Sequence, residues 1–215
     1  MRLSKSINNL RREYKLNKLS EETVQNNPVK QFELWFKDVI KLKLPEQNAM
    51  ILATADKNAK PSARVVLLKG YSKLGFKFFT NYDSAKGKNL SENSFASLLF
   101  YWAGLERQIR IEGKIRKLSR LESQKYFNSR PLESRIAAWT SEQSKIIPDR
   151  EYLELRYKKF HAKFSGKKIR LPPNWGGYIL EPNYFEFWQG RENRLHDRIC
   201  YKKQKGKWKI FRLAP

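Results

Sequence analysis

This chain is poor in the residues that most often carry chemistry by themselves. It has one cysteine, Cys200, so no intrachain disulfide can form and a reducing compartment is expected. Cys200 lies between Ile199 and Tyr201 in an apolar-alternating stretch, the usual place of a small buried hydrophobe rather than a nucleophile. With only two histidines, His161 and His196, a zinc site of ordinary ligand spacing lacks its donors. No Ser-His-Asp arrangement, Walker loop or Gly-x-Gly-x-x-Gly is present. No apolar run approaches the length of a membrane span, and Met1 to Lys5 lack the apolar core of a signal peptide. The expectation is a cytoplasmic protein with no membrane partner. Acidic residues are also scarce, 21 against 45 Lys and Arg, for a net charge of +24. That charge would suit a nucleic-acid binder, the main non-enzyme alternative. The cations are spread along the whole chain, however. Zinc-finger spacing, an RNA-recognition signature and a Gly-x-x-Gly loop of the KH type are all missing, so nucleic acid is a weak reading.

What is present is aromatic bulk: 13% of the residues, with six Trp, which points to an ordered globular protein of 215 residues. Residues 1–30 are polar and read as a mobile arm with Arg11-Arg12-Glu13-Tyr14 its only dense feature. Residues 31–215 read as a single domain. Phe32, Trp35, Phe36, Val39 and Ile40 have the spacing of one helical face, ended by Pro45. The period then turns strand-like over Met50 to Ala55, Ser62 to Lys69, Phe76 to Thr80, Phe95 to Trp102 and Arg107 to Leu118. A short helix is expected over 84–92. Two or three helices follow from Ser119 to about Phe164, with a boundary at Pro131, which biases Arg130 away from helical geometry. Strand character returns from Trp175 in three or four segments ending at Leu213. Short strands joined by tight turns predict a mainly β, α+β chain: an antiparallel barrel or sandwich with a helical insertion at about 119–165.

Anion-binding groups are many and an obvious nucleophile is missing. Arg64 and Lys69 bracket a strand five residues apart, so they should project from opposite faces, roughly 17 Å apart; two different anions, or one anion and one surface charge, are the options. Phe79-Thr80-Asn81 and Ser84-Ala85-Lys86 place hydroxyls, a lysine and free N–H groups at a helix start, which suits a phosphate or simply a helix cap. Tyr126, Arg130 and Ser134 recur at four-residue spacing and could hold a phosphate with a phenol, a fork and a hydroxyl, with Pro131 interrupting the helix. Gln108, Gln143 and Ser144 are polar residues beside apolar ones. Near the C-terminus, Arg194, His196 and Arg198 form Arg-x-His-x-Arg. If extended, that stretch puts all three on one face, where an anion between the cations would relieve their repulsion. A solvated edge strand is the other reading of the same residues. This combination favours a cofactor that does the chemistry while the protein supplies phosphate anchors.

These motifs together resemble the pyridoxamine 5′-phosphate oxidase family of flavin enzymes, from about Arg11 to Pro215. The resemblance is carried by Arg64 to Lys69, Arg107-Gln108-Ile109-Arg110-Ile111-Glu112-Gly113, Ser129-Arg130-Pro131, Ala138-Trp139 to Gln143-Ser144, Trp175-Gly176-Gly177-Tyr178, Glu186 to Arg191, and Arg194 to Arg198 with the closing Arg212-Leu213-Ala214-Pro215. It implies an FMN-binding split β-barrel homodimer with FMN at the subunit interface. The implied reaction oxidises the 4′ carbon of pyridoxamine or pyridoxine 5′-phosphate to the aldehyde, with O2 as acceptor and hydrogen peroxide as product. By the same resemblance FMN is held by Arg64, Val65, Val66, Leu67, Leu68 and Lys69, with Arg64 toward its phosphate. Phe79, Thr80, Lys86, Gln108, Gln143, Ser144, Trp188 and Arg198 match the other FMN positions. The substrate meets Lys69, Tyr126, Arg130 and Ser134 at its phosphate. Arg194, Leu195 and His196 lie beside the reacting carbon, where Arg194 and His196 are the catalytic pair. Arg11, Arg12, Glu13 and Tyr14 match a segment that can fold over the substrate. Ala85 departs from the family, which commonly has a basic residue there, and loss of that contact would weaken FMN by about 1.5–3 kcal/mol if uncompensated. Phe79 replaces a common Tyr. A related FMN-binding split-barrel reductase is the enzyme alternative; it need not keep Arg130, Arg194 and His196.

Overall fold

Asn27 starts the first helix seen in the computed structural model, which describes residues 13–215. Its side chain accepts from the Val29 N–H at 2.9 Å, and Pro28 fills the first turn. Helix α1 therefore spans Pro28–Lys41, one turn earlier than apolar spacing alone indicates, and stops before Pro45. The other helices among the described residues are α2 (Ala85–Glu92), α3 (Arg120–Ser129), α4 (Leu132–Thr140) and α5 (Arg150–Phe164). The strands are β1 (Ala49–Ala55), β2 (Pro61–Leu67), β3 (Gly70–Ser72), β4 (Gly75–Asn81), β5 (Phe95–Trp102), β6 (Arg107–Lys117), β7 (Trp175–Gln189), β8 (Asp197–Gln204) and β9 (Lys207–Arg212). They hydrogen-bond in the order β2-β1-β5-β6-β7-β4-β3, with β8 on β7 and β9 on β8. The chain is thus α+β, with helices α3 to α5 inserted between β6 and β7. Only β3, three residues without a pattern of their own, had no counterpart in the sequence reading.

Contacts divide the chain, read above as one domain, into two compact units. The first holds residues up to Gln47, Leu98–Ile111 and Asn183–Pro215; the second holds Asn48–Ser97 and Glu112–Pro182. In the first unit α1 buries Phe32, Trp35 and Val39. The Trp35 ring stands edge-on to Phe187 at 5.2 Å, and the Arg107 guanidinium lies 4.6 Å over its face while pairing with Asp38 at 2.7 Å. Strands β7, β8 and β9 pair antiparallel, with Trp188 opposite Arg198 and Ile199 opposite Arg212.

Residues 13–27, expected as part of a mobile arm, are tied to this unit instead. Glu106 accepts from the Lys15 and Leu16 N–H groups, and Asp197 from that of Leu19. Leu19 and Val24 are buried, and Tyr201 Oη donates to Gln25 O. Two distant carboxylates and two isolated apolar residues hold the segment, a pattern without local periodicity. Arg11 and Arg12 lie outside the described residues.

In the second unit β1 pairs with β2, placing Leu52 opposite Arg64, and β4 pairs with both β3 and β7. Ser119 and Glu122 form a reciprocal capping box at the start of α3. Arg130 is extended (φ −75°, ψ 149°) ahead of Pro131, which caps α4, the break that Pro131 predicted. Phe127, Ile136, Ile169, Leu171 and Trp175 form the core beneath these helices.

Candidate active site

Strand β2 turns Arg64 onto neutral oxygens. Its Nη1 donates to Leu52 O at 3.0 Å and Thr54 Oγ1 at 2.7 Å, and Nη2 to Ser62 Oγ. Asn89 Nδ2, from α2, supports the same two hydroxyls at 3.2 and 3.4 Å. Lys86 is 9% exposed, and its Nζ donates to Thr80 Oγ1 (3.1 Å), Ser84 Oγ (3.1 Å) and Gln143 Oε1 (2.9 Å). Burial, and then the charge of Arg64, bring Lys86 down to about 8. Two partly desolvated cations thus share a neighbourhood, and among the described residues no carboxylate bonds to either, an arrangement a phosphate would relieve. Because Lys86 is half titrated near pH 8 while an anion would favour its charged form, phosphate-ligand affinity should fall as pH rises through 8. The slope limit is about tenfold per pH unit, measurable by titrating the protein with a phosphate-bearing ligand. Affinity flat from pH 7 to 10 would remove Lys86 from the contact.

A cavity of about 420 Å³ opens beside this pair. Val65, Val66, Leu67 and Lys69 form one wall, Phe79, Thr80, Lys86 and Gln143 another, and Tyr126, Arg130, Ser134 and Trp175 a third. Tyr126, Arg130 and Ser134 therefore meet although no continuous helix joins them; extended Arg130 bridges α3 to α4. The Arg130 guanidinium is half-buried, its Nη1 has no hydrogen-bond partner, and burial lowers its pKa. Phe79 stacks on Tyr126 at 3.9 Å and on Trp175 at 5.7 Å. Gly177 keeps that stack possible, because a Cβ there would stand 2.7 Å from Phe79 Cε1. Arg64 does not line the cavity that Lys69 lines, in keeping with separate anions. Leu68 and Ser144 do not join this wall either: Leu68 is buried and Ser144 is exposed with φ +72°. Ala85 is the exposed first residue of α2.

In the first unit the Arg-x-His-x-Arg stretch is not one strand. Asn193 and Arg194 take positive φ (55° and 61°), and β8 begins only at Asp197, so Arg194, His196 and Arg198 do not alternate on a common face. The turn is held from both sides, by Arg191 and Arg212 on Asp197 at 3.0 and 2.7 Å. Arg198 is not an unpaired cation either: its Nε donates to Glu186 Oε1 at 2.8 Å and its Nη1 to Ala214 O. Glu186, 3% exposed, also takes Arg110 Nη2 at 2.6 Å. Burial alone would raise this carboxyl, but hydrogen bonds from Arg198 and Arg110 hold it below the ordinary range. Glu186→Gln should therefore lower the unfolding midpoint by several degrees near neutral pH, with the difference shrinking in acid as the wild-type carboxyl protonates. Melts at pH 7 and pH 4 check this.

His196 Nδ1 accepts from Arg191 N at 3.1 Å, leaving its proton on Nε2. Burial, and then the Arg194 charge, hold it below the ordinary imidazole value. Its ring lies 4.7 Å from Trp188 and 5.7 Å from Tyr14, which also reaches Trp188 at 5.6 Å. Gly190 leaves room for Tyr14, whose Cβ would stand 2.7 Å from a Cβ at that position. Arg194 and Leu195 are exposed, and the Arg194 guanidinium makes no hydrogen bond or ion pair among the described residues. Gln108 is half-buried on β6, and Glu13 pairs with Lys15 at 2.8 Å.

Sequence reading missed Trp175 as a cavity wall, Glu186 as the partner of Arg198, and Thr54 and Ser62 as the oxygens around Arg64. Alternation along β1 and β2 was the signal for the last pair, since Thr54 faces Ser62 across the hairpin.

The desolvated cations, stacked rings and free guanidinium suit a protein that binds planar, phosphate-bearing ligands. The chain belongs to the pyridoxamine 5′-phosphate oxidase family: that family description matches residues 36–164, and its C-terminal dimerisation region matches 175–215. A pyridoxine/pyridoxamine 5′-phosphate oxidase of Cupriavidus necator is 53% identical over 207 residues, covering 96% of this chain and 97% of its own. One from Cyanothece sp. is 50% identical over 210 residues, covering 98% and 99%. Among solved structures, PhzG from Burkholderia lata in complex with tetrahydrophenazine-1-carboxylic acid superposes with a TM-score of 0.87 at 30% identity, over 93% of this chain and 99% of that one. A pyridoxamine 5′-phosphate oxidase-related, FMN binding protein from Nostoc punctiforme shares the fold (TM-score 0.70, 16% identity, 88% and 98% covered). No described helix is long and apolar enough to cross a membrane.

Proposed function

We propose that this chain oxidises pyridoxine 5′-phosphate and pyridoxamine 5′-phosphate to pyridoxal 5′-phosphate, using FMN and O2, as a homodimer with FMN at the subunit interface. The observation that carries this reading is the buried, unpartnered Arg130 Nη1 in a cavity shared with Lys69, Tyr126 and Ser134, beside a second cationic pair, Arg64 and Lys86. Two phosphate-class sites suit one phosphorylated cofactor and one phosphorylated substrate. Whole-length identity of about half to relatives named for that reaction supports the substrate class.

FMN, when bound, supplies the two-electron acceptor. Its phosphate fits Arg64 and Lys86, which hold hydroxyls and an amide but no competing carboxylate. Val65 to Leu67, Thr80 and Gln143 line the adjoining wall, and Gln108, Trp188, Ser144 and Arg198 are the further proposed contacts. The substrate phosphate is held by Lys69, Tyr126, Arg130 and Ser134, fixing the ring and its 4′ carbon by one end. Arg194, unpaired among the described residues and two positions from His196, stabilises charge that develops on the substrate. His196, neutral at pH 7 with its proton on Nε2, orients the 4′ substituent by donation. Tyr14 covers His196 from the described end of the proposed lid, Arg11 to Tyr14. The alcohol loses two electrons and two protons, which O2 takes up as H2O2; the amine also consumes water and releases ammonia.

The test is hydrogen peroxide and aldehyde formation from pyridoxine 5′-phosphate by FMN-loaded protein. One peroxide per aldehyde is expected. FMN-loaded protein that forms neither would leave the reductase reading.

A further inference from the structure

Arg130 raises a physical question that its phosphate role does not answer: what holds a half-buried guanidinium in place when no described carboxylate pairs with it? Its contacts are aromatic. The guanidinium carbon lies 4.8 Å from the centre of the Trp175 ring and 5.9 Å from that of Phe127. Trp175 is 7% exposed and fixed on several sides. It stands edge-on to Phe127 at 5.4 Å and lies nearly parallel to Phe79 (14°) and Tyr126 (6°). Its backbone N–H donates to Pro172 O, and its carbonyl accepts from Arg120. Both Trp175 and Arg130 line the 420 Å³ cavity.

A carboxylate in the place of Trp175 would hold the arginine by occupying its N–H fork and would repel an incoming phosphate. A ring face attracts the cation through its quadrupole and uses none of the donors. The unpartnered Nη1 is the visible result. From this geometry we infer that Trp175 is a positioning residue for substrate phosphate, presenting Arg130 oriented and with its fork free. The inference rests on the proposed function of this cavity.

The test compares Trp175→Phe and Trp175→Leu, alone and with Arg130→Gln, on FMN-loaded protein with pyridoxine 5′-phosphate. KM should rise about two- to fourfold for the Phe variant and about tenfold or more for the Leu variant, following the loss of ring face. In both, kcat and FMN affinity should stay within twofold of wild type. In the Arg130→Gln background the Trp175→Phe effect should vanish, because the ring acts through the guanidinium. If Trp175→Leu does not fold, the Trp175→Phe pair decides alone. An unchanged KM in Trp175→Phe, or an equal rise with and without Arg130, would overturn the positioning role. If Arg130→Gln alone left KM untouched, the assignment of this cavity to substrate phosphate would fail instead, so the two failures are distinguishable.

Discussion

Arg64→Gln should bind FMN about 100-fold more weakly than wild type, while the turnover of whatever flavin is bound stays close to normal. The magnitude follows from removing one charge-assisted, partly desolvated contact to a phosphate, on the order of 2–3 kcal/mol. Two features make a loss at the upper end of that range expected here. Ala85 supplies no basic side chain at the first residue of α2, and Lys86, the second, is itself half-neutral near pH 8, so neither compensates fully. Removing Arg64 also removes a repulsion that lowers Lys86, so the variant should retain affinity to a higher pH than wild type does. Fluorescence titration of apoprotein with FMN at pH 7 and pH 9 measures both effects. Wild-type affinity in the variant would show that the phosphate sits elsewhere.

Arg194→Gln should do the opposite: full FMN content and turnover reduced by 10²- to 10³-fold, the usual range for losing one donor aimed at developing charge. Arg194 makes no hydrogen bond or ion pair with any described residue, is exposed, and sits at φ +61°, so its loss breaks no internal contact and stability should be unchanged. Its charge also lowers His196. Without it the imidazole should bind a proton at higher pH, so the acid limb of the residual kcat/KM should move upward. Steady-state rates per bound flavin from pH 5 to 8 test the assignment. Loss of flavin with normal turnover per bound flavin would reverse the roles given to Arg64 and Arg194.

How far the sequence revealed this arrangement depended on whether a feature was local. Strand β5 was read with its observed bounds, because Phe95 to Trp102 is a β-rich run between turns. The break at Pro131 was legible because a proline acts on its own neighbour. Meeting of Tyr126, Arg130 and Ser134 was anticipated from four-residue spacing, and it holds through a bent connection rather than a helical face. The Arg-x-His-x-Arg stretch failed as a strand for a reason that spacing does not carry. Asn193, a residue that tolerates positive φ, starts a turn completed by ion pairs from Arg191 and Arg212 to Asp197. Glu186 and Trp175 stood in recognised motifs, but their roles were not legible because each depends on a partner from another element, Arg198 and Arg110 for Glu186 and Arg130 for Trp175. Residues 13–27 were misread for the same reason: Glu106 and Asp197, which fasten them, lie 90 or more positions away.

The most direct test of the whole account is the visible spectrum of the purified, FMN-supplemented protein under anaerobic conditions, before and after one equivalent of pyridoxine 5′-phosphate. The account predicts flavin absorption that bleaches when substrate is added and returns when air is admitted. Protein that takes up no FMN, or flavin bands that substrate leaves unchanged, would contradict it.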